Sequence, residues 1–155
     1  MKSKFIDSFL EAAADILHST IGMEVHPATH RADEGRFPVA DVCVVLKIHG
    51  DQNGRVIYGF SMPSALGIAG KMMGCATPLV LDEISRSAIA ELGNMMAAHA
   101  ASCFERLGIR IDISTPAVMD GDSMESLSLS PDTQAVPLLA DTNEQIVWVA
   151  FEQPE

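Results

Sequence analysis

The sequence predicts an α+β fold, a single domain in which an antiparallel or mixed sheet carries long helices packed on it. Three observations lead there. Apolar residues recur at three-to-four spacing over Lys2–Ile21 and again after Asp82, the period of a half-buried helix. Two Val- and Ile-rich runs flank the turn Asp51–Gly54, which marks a hairpin. Further short apolar runs follow the second long helix, and the short hairpin link favours antiparallel neighbours.

The elements follow in order. Phe5, Ile6, Phe9, Leu10, Ala13, Ile16 and Leu17 form the apolar face of the first helix, and Gly22 stops it. Pro27, Gly35 and Pro38 mark a loop. Val39–His49 reads as a strand, and Arg55–Ser61 returns as its hairpin partner. Pro63 opens a short helix to Met73 that Gly74 ends. Asp82 caps a long helix to Leu107, closed by Gly108. Arg110–Ser114, Ala117–Met119, Gln134–Ala140 and Gln145–Phe151 read as strands. The polar stretch Asp120–Pro131 reads as a loop or an edge strand. No linker or low-complexity segment divides the chain, so residues 1–155 form one domain.

Composition removes several function classes. A formal net charge of -11, with no basic run, argues against a nucleic-acid partner. No apolar run approaches the length of a membrane helix. Lys2, Lys4, Asp7 and Glu11 interrupt the apolar stretch that a secretory signal needs, so a cytoplasmic location is expected. Cys43, Cys75 and Cys103 include no CxxC pair and read as reduced thiols, with Cys43 and Cys103 in the core. The five histidines offer no ligand-spaced pair that can be trusted, and His99 reads as a core or edge histidine. Met72, Met73, Met95 and Met96 could line the pocket of a small-molecule sensor, but Met at helical spacing is more often core filler.

The long helix carries the chemistry. At about 100° per residue, Ile89, Leu92, Met96, Cys103 and Leu107 share a face that should bury. Ser87, Glu91 and Asn94, at i, i+4 and i+7, form a stripe pointing away from it. Its neighbours are Ala90, Gly93, Ala97, Ala98 and Ala101, a floor of small residues that lets another molecule approach closely. A carboxylate can pair with a cation on that molecule. A carboxamide has both a donor and an acceptor and can hold a water in line for attack on phosphorus. The spacing alone is a weak signal, because Ser, Glu and Asn are common on solvated helix faces.

The whole segment Ser87–Ala97 resembles the signature of the CheC, CheX and FliY phosphatase family, in its CheX version, where Ser or Asp precedes Glu and Asn at this spacing. Pro116, the opening Phe5–Ala13 with Ile21–Val25, and the closing Ala135–Leu139 are similar to that family as well. The resemblance implies a phosphatase for the aspartyl phosphate of a CheY-like response regulator, in chemotaxis or related two-component signalling. It implies that Glu91 docks to the partner's active-site lysine and that Asn94 orients the hydrolytic water. Ser87 is implied in support, and Ala90 and Ala98 of the small-residue floor are expected to lie beneath the partner. No metal or other cofactor of its own is expected, Mg²⁺ coming with the regulator. A homodimer through sheet strands is implied too. One site per chain is expected: Asp7 and Glu11 on the first helix are followed by Ala14 where the motif needs Asn, and Pro63–Met73 lacks the motif. The alternative is a non-catalytic protein-binding module of a signalling or flagellar-switch complex. The amide at Asn94 favours the enzyme, since docking alone needs no water-orienting group.

Overall fold

A computed structural model describes residues 2–28, 40–127, 129 and 133–153. Three helices are α1 (Lys2–Ile21), α2 (Met62–Met73) and α3 (Glu83–Arg106). Seven strands are β1 (His26–Pro27), β2 (Val42–Gly50), β3 (Gly54–Phe60), β4 (Ile111–Ile113), β5 (Ala117–Asp120), β6 (Gln134–Leu139) and β7 (Gln145–Glu152). They form one sheet in the order β1-β6-β7-β3-β2, with β4 and β5 both on the outer side of β2, and every pairing is antiparallel.

Alternation along the strands sorts the sheet into two faces. Val42, Val44, Leu46 and Ile48 of β2, with Val56, Tyr58 and Phe60 of β3, join the core beneath the helices. Cys43, Ile57, Ala135 and Ala150 face the other way, and Met124, Leu127, Leu129 and Trp148 pack against them. The Cys43 thiol is therefore buried as expected, and burial pushes its pKa up to about 12, which keeps it protonated and unreactive. On the helix side, four rings fasten three elements together. Phe5 and Phe9 of α1 meet Phe104 of α3 at centroid distances of 5.2 and 5.4 Å and Phe151 of β7 at 6.0 and 5.4 Å.

The two short edge strands are one interrupted strand. Ile48 pairs with Ile113 and Val45 with Ala117, so three residues of the edge, Ser114–Pro116, oppose two of β2. Pro116 has no N–H to give the ladder. Ser114 stitches the gap: its N–H donates to the Lys47 carbonyl at 2.9 Å, and its Oγ accepts from the Lys47 N–H at 2.8 Å.

Helix boundaries fall where the caps put them. Ser61 accepts at its Oγ from Ser64 N–H (3.2 Å) to start α2, and Gly74 ends it in the left-handed region at φ 66°. Asp82 starts α3, its Oδ1 accepting from both the N–H and the hydroxyl of Ser85, each at 2.8 Å. These two bonds from Ser85 hold the Asp82 carboxyl below its ordinary pKa.

Several expectations need correction. Pro27, placed in a loop, pairs with Leu138 as half of the two-residue β1. Gly35, Pro38 and Val39 lie outside the described residues. The start of Asp120–Pro131 is neither all loop nor all strand: Asp120 ends the edge strand β5, and Gly121–Ser126 is a 3-10 turn fastened by Asp120 N–H donating to Ser123 Oγ at 2.8 Å. Cys103 is only half-buried, with Arg106 Nη2 donating to its sulfur at 3.2 Å. Leu107 is 68% exposed. Leu107 has already left helical geometry as the cap residue (φ −91°, ψ 5°), so the wheel that placed it on the buried face no longer applies.

Two measurements check this account of the framework. The Tyr58 hydroxyl is fully buried and has no hydrogen-bond partner among the described residues, and burial also drives its pKa up. Tyr58→Phe should therefore raise the unfolding free energy by about 1 kcal/mol in urea titrations, because the cost of desolvating the hydroxyl disappears. A comparable loss of stability would mean that the hydroxyl has a partner. The Asp82 pKa is depressed in the fold, so its stabilising effect is present above the unfolded value and fades as the pH falls through the folded one. Asp82→Ala should lower the melting temperature at neutral pH, and the gap to the unaltered chain should narrow below the ordinary value of 3.8. A gap of constant size down to about pH 2 would contradict the charged cap.

Candidate active site

Helix α3 lies over β2 and the β4/β5 edge, and three contacts fix its height and rotation. At its start Asp82 caps it. One turn in, Arg86 forms an ion pair with Asp120 and donates from Nη2 to the Val118 carbonyl at 3.2 Å, tying the helix to β5. In the middle, Gly93 sits directly on β2. A Cβ there would stand 2.6 Å from Val44 Cγ1 and 3.2 Å from Val44 Cβ, a clash that keeps anything larger out. Gly93 and Ala97, expected in the floor of small residues beside the stripe, are both buried and serve the sheet contact instead. The reason is geometric: the helix buries an arc broad enough to include them, alongside Ser85, Ile89, Leu92, Met96, Ala100 and Phe104.

On the opposite side α3 brings the candidate residues together. Ser87, Glu91 and Ala98 are exposed, and Ala90 and Asn94 are half-buried. Glu91 and Asn94 are separated by about 4.5 Å of helix rise and about 60° of rotation, so both reach the same side. Among the described residues none of the Ser87, Glu91 and Asn94 side chains has a hydrogen-bond partner. The positions three and four away from Glu91 are Ser87, Ala88, Asn94 and Met95, so no cation on its own helix compensates the carboxylate. The nearby arginine is occupied by Asp120. An uncompensated carboxylate and a free amide thus lie side by side on the helix, open to groups supplied from outside.

The shape of the surface says what kind of partner. None of the five main clefts is lined by Ser87, Glu91 or Asn94. A cleft of about 290 Å³ opens at the far end of the β2–β3 hairpin, beside Lys47, Arg55 and Glu152. A convex helix face cannot enclose a small substrate, which binding sites do in concavities. It can be inserted into the concavity of another macromolecule. Met72, Met73, Met95 and Met96 line none of these clefts, and Met96 is fully buried, which favours core packing over a sensor pocket. His99 is an edge histidine: its Nε2 lies 3.3 Å from Asp15 Oδ2 and bridges α3 to α1. No group of three His, Cys, Asp or Glu able to hold a metal occurs among the described residues. No described helix is long and apolar enough to cross a membrane.

The sequence reading found the exposed stripe but missed its support. An interior helical glycine costs about 1 kcal/mol relative to Ala, so Gly93 was itself a sign of close backbone approach. The Arg86–Asp120 tie spans 34 positions and left no local signal.

Comparison with known proteins adds the lineage. The family model described as Chemotaxis phosphatase CheX matches residues 42–151. A curated relative from Thermotoga maritima, named CheY-P phosphatase CheX, is 30% identical over 125 residues, 81% of each chain. A crystal structure of a chemotaxis protein CheX from Desulfovibrio desulfuricans superposes with a TM-score of 0.80 at 20% identity, covering 97% of this chain and 99% of that one. The structure of a CheX-CheY-BeF3-Mg+2 complex from Borrelia burgdorferi contains a chain that matches with a TM-score of 0.77 at 22% identity, covering 97% and 98%. With a family match over most of its length and the same fold throughout, this chain belongs to the CheX chemotaxis phosphatase family.

Proposed function

We propose that this chain hydrolyses the aspartyl phosphate of a CheY-like response regulator by inserting the Glu91–Asn94 face of α3 into the regulator's active site. The single observation that carries the reading is the pair of side chains, without partners among the described residues, on a convex helix face that lines none of the five main clefts. Its support from relatives is the phosphatase name of the 30% identical protein and the CheY complex solved for a chain of the same fold.

The chemistry asks little of this chain. An acyl phosphate carries a good leaving group, and catalysis consists of placing a water in line and stabilising charge. Asn94 supplies the placement: its carbonyl oxygen accepts from the water and its NH₂ donates to an oxygen of the phosphoryl group or the water. The water oxygen bonds to phosphorus, the bond from phosphorus to the aspartyl oxygen breaks, and the electron pair returns to the carboxylate. Inorganic phosphate leaves, and the water's proton passes to it or to solvent. Glu91 pairs with the regulator's active-site lysine and sets the register. Ser87, Ala90 and Ala98 border the contact with nothing large enough to hold the partner away. Mg²⁺ belongs to the regulator in this reading, and this chain donates no ligand to it. A cytoplasmic location and a homodimer through sheet strands complete the proposal.

The test is phosphate loss from regulators charged with a small phosphodonor. Asn94→Ala should abolish most of the acceleration at saturating regulator while leaving the melting temperature unchanged, since a water-orienting group contributes about 10²-fold or more to rate. Glu91→Ala should weaken docking and turnover together. Full acceleration by Asn94→Ala would refute the catalytic role, and phosphorylation-dependent binding without any acceleration would establish a docking module instead.

A further inference from the structure

Four large apolar side chains are strongly exposed among the described residues: Leu79 at 95%, Val80 at 66%, Ile84 at 69% and Leu107 at 68%. Three of them fall in the single stretch Leu79–Ile84, which leads into the first turn of α3. Scattered exposed apolar residues need no explanation, but a cluster does.

The stretch is held in place. Gly74 ends α2, and the Cys75 N–H donates to the Gly70 carbonyl at 3.0 Å. The chain then passes so close over α2 that a Cβ on Gly70 would stand 3.1 Å from Thr77 Cα. Leu81 packs against the core, Asp82 N–H donates to the Val80 carbonyl at 3.0 Å, and the Asp82 side chain caps α3. Leu79 and Val80 thus project from a segment anchored before and after them.

Position relates this cluster to the candidate site. Ile84 precedes Glu91 by seven residues, which puts it about 10 Å along the helix and about 20° around it. The line Ile84, Ser87, Glu91 is therefore one continuous strip of surface. A protein interface of ordinary size covers roughly 800 Å² on each partner, a disc of about 16 Å radius. Centred on Glu91, that disc includes Ile84 and reaches the Asp82 cap, about 13 Å along the helix, where the segment carrying Leu79 and Val80 joins it. Leu107 lies about 24 Å away along the helix, beyond the disc. The polar stripe by itself offers little to drive association, because groups such as Glu91 and Asn94 must first be desolvated. Large apolar side chains at the interior of a contact supply that drive.

We propose that Leu79, Val80 and Ile84 form an apolar docking shelf for the response regulator's receiver domain, beside the contact made by the Glu91–Asn94 face. The inference rests on the reading that the Glu91–Asn94 face meets this domain. It assigns affinity and partner choice to the shelf and chemistry to the stripe.

The experiment measures binding and turnover separately on the full chain, using receiver domains activated with beryllofluoride and Mg²⁺ for Kd and phosphorylated ones for kcat. The triple variant Leu79→Ser, Val80→Ser, Ile84→Ser should bind at least tenfold more weakly with kcat at saturation unchanged. Ile84→Glu alone should give a similar loss, and Leu107→Ser should change neither quantity. Unchanged Kd in the triple variant, beside normal turnover by the unaltered protein, would overturn the shelf and leave the catalytic reading standing. The expected loss of binding, with no phosphatase activity in the unaltered protein, would support the shelf and overturn the catalytic reading. An equal loss from Leu107→Ser, or no binding of any activated receiver by the unaltered chain, would overturn the shelf.

Discussion

The close approach of α3 to β2 at Gly93 governs the geometry of this molecule. With no Cβ at that position, the helix backbone settles against Val44. The Asp82 cap and the Arg86–Asp120 pair hold one end, and the ring cluster around Phe104 holds the other. A helix supported at three points has little freedom to roll. Glu91 and Asn94 lie on either side of Gly93 in sequence and project away from the sheet, so their positions follow from that of the backbone between them.

This arrangement differs from the usual enzyme plan, in which one chain folds a cleft around its substrate. In the proposed reading the cleft, the phosphate and the lysine belong to the partner, and this chain supplies a shaped protrusion. A water-orienting amide needs no shifted pKa, and the two large upward shifts in the described chain, at Cys43 and Tyr58, belong to buried packing positions on β2 and β3.

The sequence made some of this legible and concealed the rest for physical reasons. The long helices carry a clear 3.6-residue period with Asp82, Gly74 and Gly22 at or next to their ends, so α1, α2 and α3 were placed to within a residue or two. The hairpin was equally plain, since Asp51–Gly54 has the composition of a turn. The two-residue β1 was hidden, because its pairing depends on Leu138 and Leu139 far along the chain. The 3-10 turn after β5 was hidden for a different reason, its residues being polar and aperiodic. At the site, the Ser87, Glu91 and Asn94 stripe could be read from spacing, but the roles of Gly93 and Ala97 could not. A small residue looks alike on a wheel whether it makes room for a partner or for the protein's own sheet.

The central claim is that the Gly93 contact sets the position from which Asn94 acts, and a paired substitution tests it most directly. Single-turnover phosphate loss from a phosphorylated CheY-like regulator would be followed with Gly93→Ala, Val44→Ala and the two combined. The account predicts that Gly93→Ala slows hydrolysis by lifting α3 from β2, and that adding Val44→Ala, which removes the Cγ1 atom the new methyl would strike, restores much of the rate. Normal hydrolysis by Gly93→Ala, or a deficit that Val44→Ala leaves untouched, would contradict it.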